Sequence, residues 1–159
     1  MYIYNPKRET KAHIVLPVIF ILISVTAMCC SKVSLIPAFI TQALAVASIA
    51  IAIHVITRYS LTDHTYEADS EKRVFNVRKI AGKRISHAAA IEYGDIISVD
   101  KKEKGYSLKE KYHKSYKIYN FCNNVFSQNA YCIVCDVDGD DIALIIEADK
   151  TLLEILERR

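Results

Sequence analysis

Between Ala12 and Thr57 the sequence has no Asp, Glu or Arg, and its ionisable side chains other than cysteine are Lys32, His13 and His54. A stretch without a polar face excludes an ordinary amphipathic surface helix. Glycine is scarce too, four residues in 159, which weighs against a Gly-rich loop cradling phosphates. G-x-S-x-G and H-E-x-x-H are both missing. Ser, His and Asp all occur, yet no local signature groups them. These gaps leave no catalytic residues to nominate and no metal or cofactor set, and they point to a non-enzymatic protein.

What is present in the first third is two long apolar runs. Ala12 to Ser31 spans 20 residues and Val33 to Thr57 spans 25. As helices they reach about 30 Å and about 38 Å, enough to cross a hydrocarbon core. A cleaved signal peptide is a poor fit, because the first run is long, has no small-x-small exit and is followed at once by the second. Two buried core helices are also a poor fit, since the roughly 100 remaining residues are too few to cover them. The short connection Ser31-Lys32-Val33-Ser34 makes the two spans antiparallel neighbours. Lys7, Arg8, Lys11 and Arg58 flank the open end and only Lys32 marks the tip, so the hairpin should sit in the cytoplasmic membrane with both termini in the cytoplasm. Pro37 is expected in the first turn of the second helix and Pro17 at a slight bend in the first. Ala43, Ala45, Ala47, Ala50 and Ala52 make the second helix small-sided and allow close packing. His13 and His54 are read as interfacial side chains rather than a metal or proton site.

From Arg58 onward the pattern becomes β-rich. Expected strands are Tyr59–Tyr66, Arg73–Arg78, Arg84–Ala90, Ile96–Val99, Tyr116–Phe121, Tyr131–Val137 and Ile142–Glu147. Residues 100–114 are Lys-rich and polar, and are read as a long loop or loose hairpin. Asp138-Gly139, between two β-branched runs, is a strong hairpin signal. Asp149 can cap a final helix whose apolar stripe is Leu152, Leu153, Ile155 and Leu156. Charge divides within this region: residues 71–120 hold thirteen Lys and Arg against six Asp and Glu, whereas residues 121–159 hold three against eight. Cys29 and Cys30 end the first span on the far side, whereas cytoplasmic placement keeps Cys122, Cys132 and Cys135 reduced. Cys132 and Cys135 match C-x-x-C, but on a strand they point to opposite faces and cannot share a metal. Asp136 to Asp141 with Glu147 partly imitates a calcium loop. It has Asp141 where that loop needs glycine, so a solvated hairpin turn is the better reading.

The order of elements carries a resemblance. Two apolar helices, Arg58-Tyr-Ser-Leu-Thr62 entering a strand, Ile91-Glu-Tyr-Gly-Asp-Ile-Ile-Ser-Val99, a hairpin and a Leu-rich terminal helix resemble the bacterial pleckstrin-homology-like (PH-like) membrane proteins. The resemblance implies a membrane α-helical hairpin plus an α+β soluble domain. That domain would be a PH-like antiparallel seven-strand barrel or sandwich capped by the C-terminal helix. The division would be residues 1–57 for the tail and hairpin (about 12–31 and 33–57) and residues 58–159 for a cytoplasmic domain. It also implies a binding module that engages anionic headgroups, a peptide or a membrane protein. An accessory subunit held by its hairpin is the alternative, and a homo-oligomer is compatible with either. Arg78, Lys79, Lys83 and Arg84, around Gly82, are the candidate lipid- or anion-binding residues. A domain tethered at Arg58 meets the lipid bilayer before nucleic acid, so Lys residues interleaved with Tyr106, Tyr112, Tyr116 and Tyr119 are not assigned to nucleic acid.

Overall fold

The computed structural model describes residues 1–31, 37–103 and 106–158, which form two compact units. One unit holds Arg8–Thr62 with Asn124–Phe126, and the other holds Met1–Lys7, Asp63–Asn123 and Ser127–Arg159.

The first unit is a helix pair, α1 (Ala12–Cys30) and α2 (Ala38–Val55). α2 starts directly after Pro37 and its last turn widens into a π-helical turn over Ile56–Ser60, closed by Leu61 N donating to Ile56 O at 3.0 Å. The strand expected from Tyr59 therefore begins only at Thr62. Most of the buried side chains of the pair are small or hydroxylic: Ser24 and Ala27 on α1, and Thr41, Ala45, Ser48 and Ala52 on α2, with Pro17 and Val55 also buried. Their spacing of three and four residues makes one stripe per helix. Ser24 Oγ crosses the stripe to Ala45 O at 3.0 Å. At the open end Ser60 Oγ donates to His13 O at 3.1 Å, so the end of α2 lies beside the start of α1 and the pair is antiparallel. Of the five alanines expected to pack, Ala45 and Ala52 do so; Ala43, Ala47 and Ala50 face outward because the helical period places them off the stripe. The short connection, apart from Ser31, lies outside the described residues.

The second unit has eight strands among the described residues, in two sheets. β1 (Tyr2–Tyr4), β2 (Thr62–Asp69), β3 (Val74–Ala81) and β4 (Arg84–Glu92) form the first sheet in that order. β5 (Ile96–Lys101), β6 (Lys117–Asn120), β7 (Ala130–Val137) and β8 (Asp140–Glu147) form the second, in the order β5-β7-β8-β6. A short helix, α3 (Leu108–Tyr112), precedes β6, and α4 (Lys150–Glu157) ends the chain. The expected tail is thus partly a strand: Tyr2 pairs with Ala68 and Tyr4 with Tyr66, antiparallel. β6 runs parallel to β8, not antiparallel.

The core lies between the sheets. Tyr66, Phe75 and Val77 come from the first sheet and Ile133, Cys135, Leu144 and Ile146 from the second, all without exposure beyond 1%. α4 closes one end. Asp149 Oδ1 accepts from Leu152 N at 2.9 Å and caps it, while Leu152 and Leu156 bury completely. Asp149 Oδ2 also accepts from Tyr2 OH at 2.6 Å, so the cap holds β1 as well. A buried polar knot joins the sheets: Asn123 accepts from His64 N at 2.7 Å, returns a bond to His64 O at 3.0 Å, and donates its own backbone N–H to Glu147 at 3.1 Å.

Of the seven-strand barrel or sandwich expected from the sequence, the described residues form the sandwich, with eight strands in two four-stranded sheets rather than seven in a closed barrel. β4 and β6 are edge strands that do not pair with each other. An apolar gap of about 280 Å³ lies there, lined by Ala88, Ala89, Ile91, Tyr119, Phe121 and Leu144 among others. A bulge between Val77 and Arg78 disturbs the β3–β4 ladder at the same place, which bends and twists that edge.

Candidate functional site

The four basic residues nominated from sequence all fall on the β3–β4 hairpin, but they do not form one group. Alternation along β3 sends Arg78 and Lys79 to opposite faces. Arg78 Nη2 lies 2.8 Å from Glu67 Oε2 on β2, and the Glu67 side chain is only 4% exposed. Arg78 is therefore the counter-ion of a buried carboxylate. Lys79 and Arg84 share the other face, since Arg84 pairs with Ala81 and Ala81 lies two residues from Lys79. Lys83 sits in the turn after Gly82, whose φ of +59° suits glycine. Lys79, Lys83 and Arg84 are exposed. The hairpin thus presents three cations to solvent.

A second site came from the Lys-rich stretch that reads as a loop. The outer face of the second sheet is apolar where Cys132, Val134 and Ala143 cluster. Tyr106, Leu108, Tyr112 and Tyr116 cover that face. α3 starts where Ser107 Oγ accepts from Glu110 N at 3.4 Å, and stops at His113, whose φ is +53°. One carboxylate pins the cover. Asp100 Oδ2 accepts from Tyr112 OH at 2.6 Å and Tyr106 OH at 3.0 Å, and Oδ1 lies 2.6 Å from Lys111 Nζ. Ser98 Oγ also bonds Asp100 and shares a short contact with Tyr112 OH. Desolvation pushes the Asp100 carboxyl upward, but the hydrogen bonds from Lys111, Tyr112 and Tyr106 together outweigh it and hold its pKa below the ordinary value. The same contact raises Lys111, and burial followed by the bond to Asp100 raises Tyr106 strongly.

Along this cover opens a groove of about 480 Å³. Its apolar lining includes Leu108, Ile118, Cys132 and Ile145; its polar lining includes Lys102, Lys109, Lys114, Ser107 and Ser115, with Tyr106 and Tyr116 as walls. Burial raises the Cys132 thiol, which keeps it protonated and unreactive at neutral pH. Two signals in the sequence point to this cover. Ser107-x-x-Glu110 is a capping-box spacing. β7 and β8 are apolar on both faces instead of alternating, so something had to cover the outer one.

The remaining sequence features resolve simply. Cys132 belongs to the outer cluster and Cys135 to the inner core, on opposite faces of β7. Asp138 and Gly139, at φ +54° and +85°, make the tight hairpin turn, with Gly139 N donating to Asp136 Oδ1 at 3.0 Å. His13 Nδ1 lies 3.0 Å from Thr10 O, and His54 is exposed on the helix surface.

Two facing sheets plugged at one end by an amphipathic C-terminal helix define a PH-like fold. The chain belongs to the bacterial PH-like domain family (DUF6106), whose model matches residues 5–159 and so takes in the helix pair along with β2 to β8 and α4. No curated protein and no solved structure matches the chain.

Proposed function

We propose that the protein is a membrane-anchored, non-enzymatic binding module whose PH-like domain is held at the cytoplasmic face of the membrane by the helix pair. The observation that carries this reading is the inverted burial of the helices. Ile14, Leu22, Phe39, Leu44, Val46 and Ile53 all face outward, from 52% exposed at Leu44 to 70% at Phe39 and Val46. Both helices are long and apolar enough to cross a bilayer. Hydroxyls that water would otherwise solvate return to their own helix: Thr26 Oγ1 bonds Leu22 O at 2.8 Å and Thr57 Oγ1 bonds Ile53 O at 2.9 Å. β1 precedes the pair and β2 follows it, and both lie in one sheet. A hairpin that spans a membrane must then leave on the side it entered. Lys7, Arg8, Lys11 and Arg58 favour the cytoplasm for that side. Exposed Leu61 and Phe126 belong to the same unit and suit the headgroup region, as does Tyr59 beneath the Arg58 guanidinium.

Lys79, Lys83 and Arg84 supply the anionic-surface contact in this reading. Each contributes about 1 kcal/mol near an anionic leaflet, and the effect decays over about 8 Å at physiological salt. Together they orient a tethered domain without selecting one lipid. Arg78 takes no part, because its guanidinium serves Glu67.

In intact bacterial cells, a membrane-impermeant maleimide added outside should label the exposed Cys29 and Cys30, while a reporter fused after α4 stays inside. Recovery of the chain in the soluble fraction, or a reporter on the outside, would overturn the anchor. For the hairpin, a dye on Lys83→Cys should be shielded from a soluble quencher in anionic proteoliposomes and not in neutral ones. The shielding should disappear in Lys79→Gln/Arg84→Gln and at severalfold higher salt. Equal shielding in both lipids would overturn the electrostatic contact. The accessory-subunit reading has one observation of its own, an apolar groove of about 440 Å³ on the helix pair, lined by Ile19, Leu22, Ile23 and Leu44 among others. Stoichiometric co-purification of another membrane protein in mild detergent would favour it.

A further inference from the structure

We propose that the groove along α3 is a binding site for a small molecule that joins a phosphate monoester to a short apolar body. It lies within the sheet unit alone and stands whether or not the helices cross a membrane. The size fits a ligand pocket, since such sites usually measure about 300–1,000 Å³. A bare phosphate would leave most of that space empty. Ile118 and Ile145 on the sheet and Leu108 on α3 call for an apolar body, and Tyr106 and Tyr116 offer ring faces beside it.

Charge decides the sign of the polar end. Among the described residues no Asp or Glu lines the groove, whereas three lysines do. Lys114 is paired with Asp141 at 3.2 Å. Asp100, the nearby carboxylate, is occupied by Lys111, Tyr106, Tyr112 and Ser98. Lys102 and Lys109 therefore keep their charges without an ion-pair partner among the described residues. Two unneutralised cations match a phosphate monoester, which carries a charge of about −1.5 to −2 at neutral pH. Ser107 and Ser115 add hydroxyl donors at the same lining. The Asp100 network also fixes the roof, so the site is formed before ligand arrives and little ordering cost opposes binding.

The test titrates the full chain in neutral detergent micelles with phenyl phosphate, with inorganic phosphate and benzyl alcohol as comparators. Phenyl phosphate should bind saturably in the millimolar range or tighter, at least about tenfold more tightly than either comparator. Lys102→Gln/Lys109→Gln should weaken it by at least about tenfold with the thermal midpoint unchanged, and Lys150→Gln on α4 should not alter it. Phosphatidic acid added to the micelles distinguishes the source of the phosphate: competition assigns the site to a lipid headgroup, and its absence assigns it to a soluble ester. The proposal is overturned if phenyl phosphate shows no saturable binding, if benzyl alcohol binds equally well, or if the double lysine variant binds like the wild type.

Discussion

In the sheet unit the fully buried side chains are large: Tyr66, Phe75, Ile133, Leu144 and Leu152. In the helix pair the buried ones are mostly small or hydroxylic, Ser24, Ala27, Thr41, Ala45, Ser48 and Ala52, with Pro17 and Val55 besides, while Phe39, Val46 and Leu22 face outward. The two units share one chain and follow opposite rules. In water, burial of apolar area drives packing, so bulk goes inside. Where the surroundings are themselves apolar, that drive is absent between helices. Close backbone approach through small residues and hydroxyl bonds such as Ser24 to Ala45 then decides what faces inward. With the helix pair in a membrane as proposed, burial reports the solvent as much as the fold.

The largest effect that would break the comparison is at Phe75. Phe75→Ala removes a fully buried ring stacked 6.3 Å from Tyr66 and should cost about 3–5 kcal/mol, read as a lowered urea midpoint of the sheet unit. A change under about 1 kcal/mol would mean that the space between the sheets is not a packed core.

A sharper version uses two residues of similar exposure. Val46 on α2 is 70% exposed and Ile85 on β4 is 66% exposed. Val46→Arg should cost about 2.5–3.5 kcal/mol of membrane insertion and shift the chain into the carbonate-extractable fraction. Ile85→Arg should change stability by no more than about 0.5 kcal/mol and leave extraction unaltered. If both substitutions are silent, the helices are solvated by water and the contrast between the units fails.

The smallest effect lies in the cover over the second sheet. Asp100 has a depressed pKa in the folded state, so its contribution is complete above the unfolded value of about 3.9 and is lost as pH falls through the folded one. Near-ultraviolet circular dichroism reports the tyrosines directly, because the chain has no Trp. Acid should reduce that signal with a midpoint below about pH 3.9, and Asp100→Asn should remove this transition. A wild-type midpoint above that value would show that Asp100 does not pin α3.

Much of this was legible beforehand. The two apolar runs, the Asp138-Gly139 turn, the Asp149 cap and the divergent faces of Cys132 and Cys135 all sit where the residue pattern puts them. The candidate site was legible only in part. Lys79, Lys83 and Arg84 share an exposed hairpin, but charge along the chain gave no sign that Glu67, eleven positions before Arg78, would claim its guanidinium. Tyr106 read as surface because the apolar face it covers, at Cys132 and Val134, lies on a strand further on.

By itself the sequence determined the features that depend on near neighbours: helix period, cap, turn and strand alternation, each set by steric and hydrogen-bonding demands within a few residues. Tertiary structure alone decided that Tyr2–Tyr4 joins β2 across the whole helix pair, that β6 lies parallel to β8, and that Asp100 gathers Tyr106, Lys111 and Tyr112 over an apolar sheet face. The physical reason is the same in each case. A strand edge or an apolar face must find a partner, and when several segments qualify, only the folded chain's geometry selects among them.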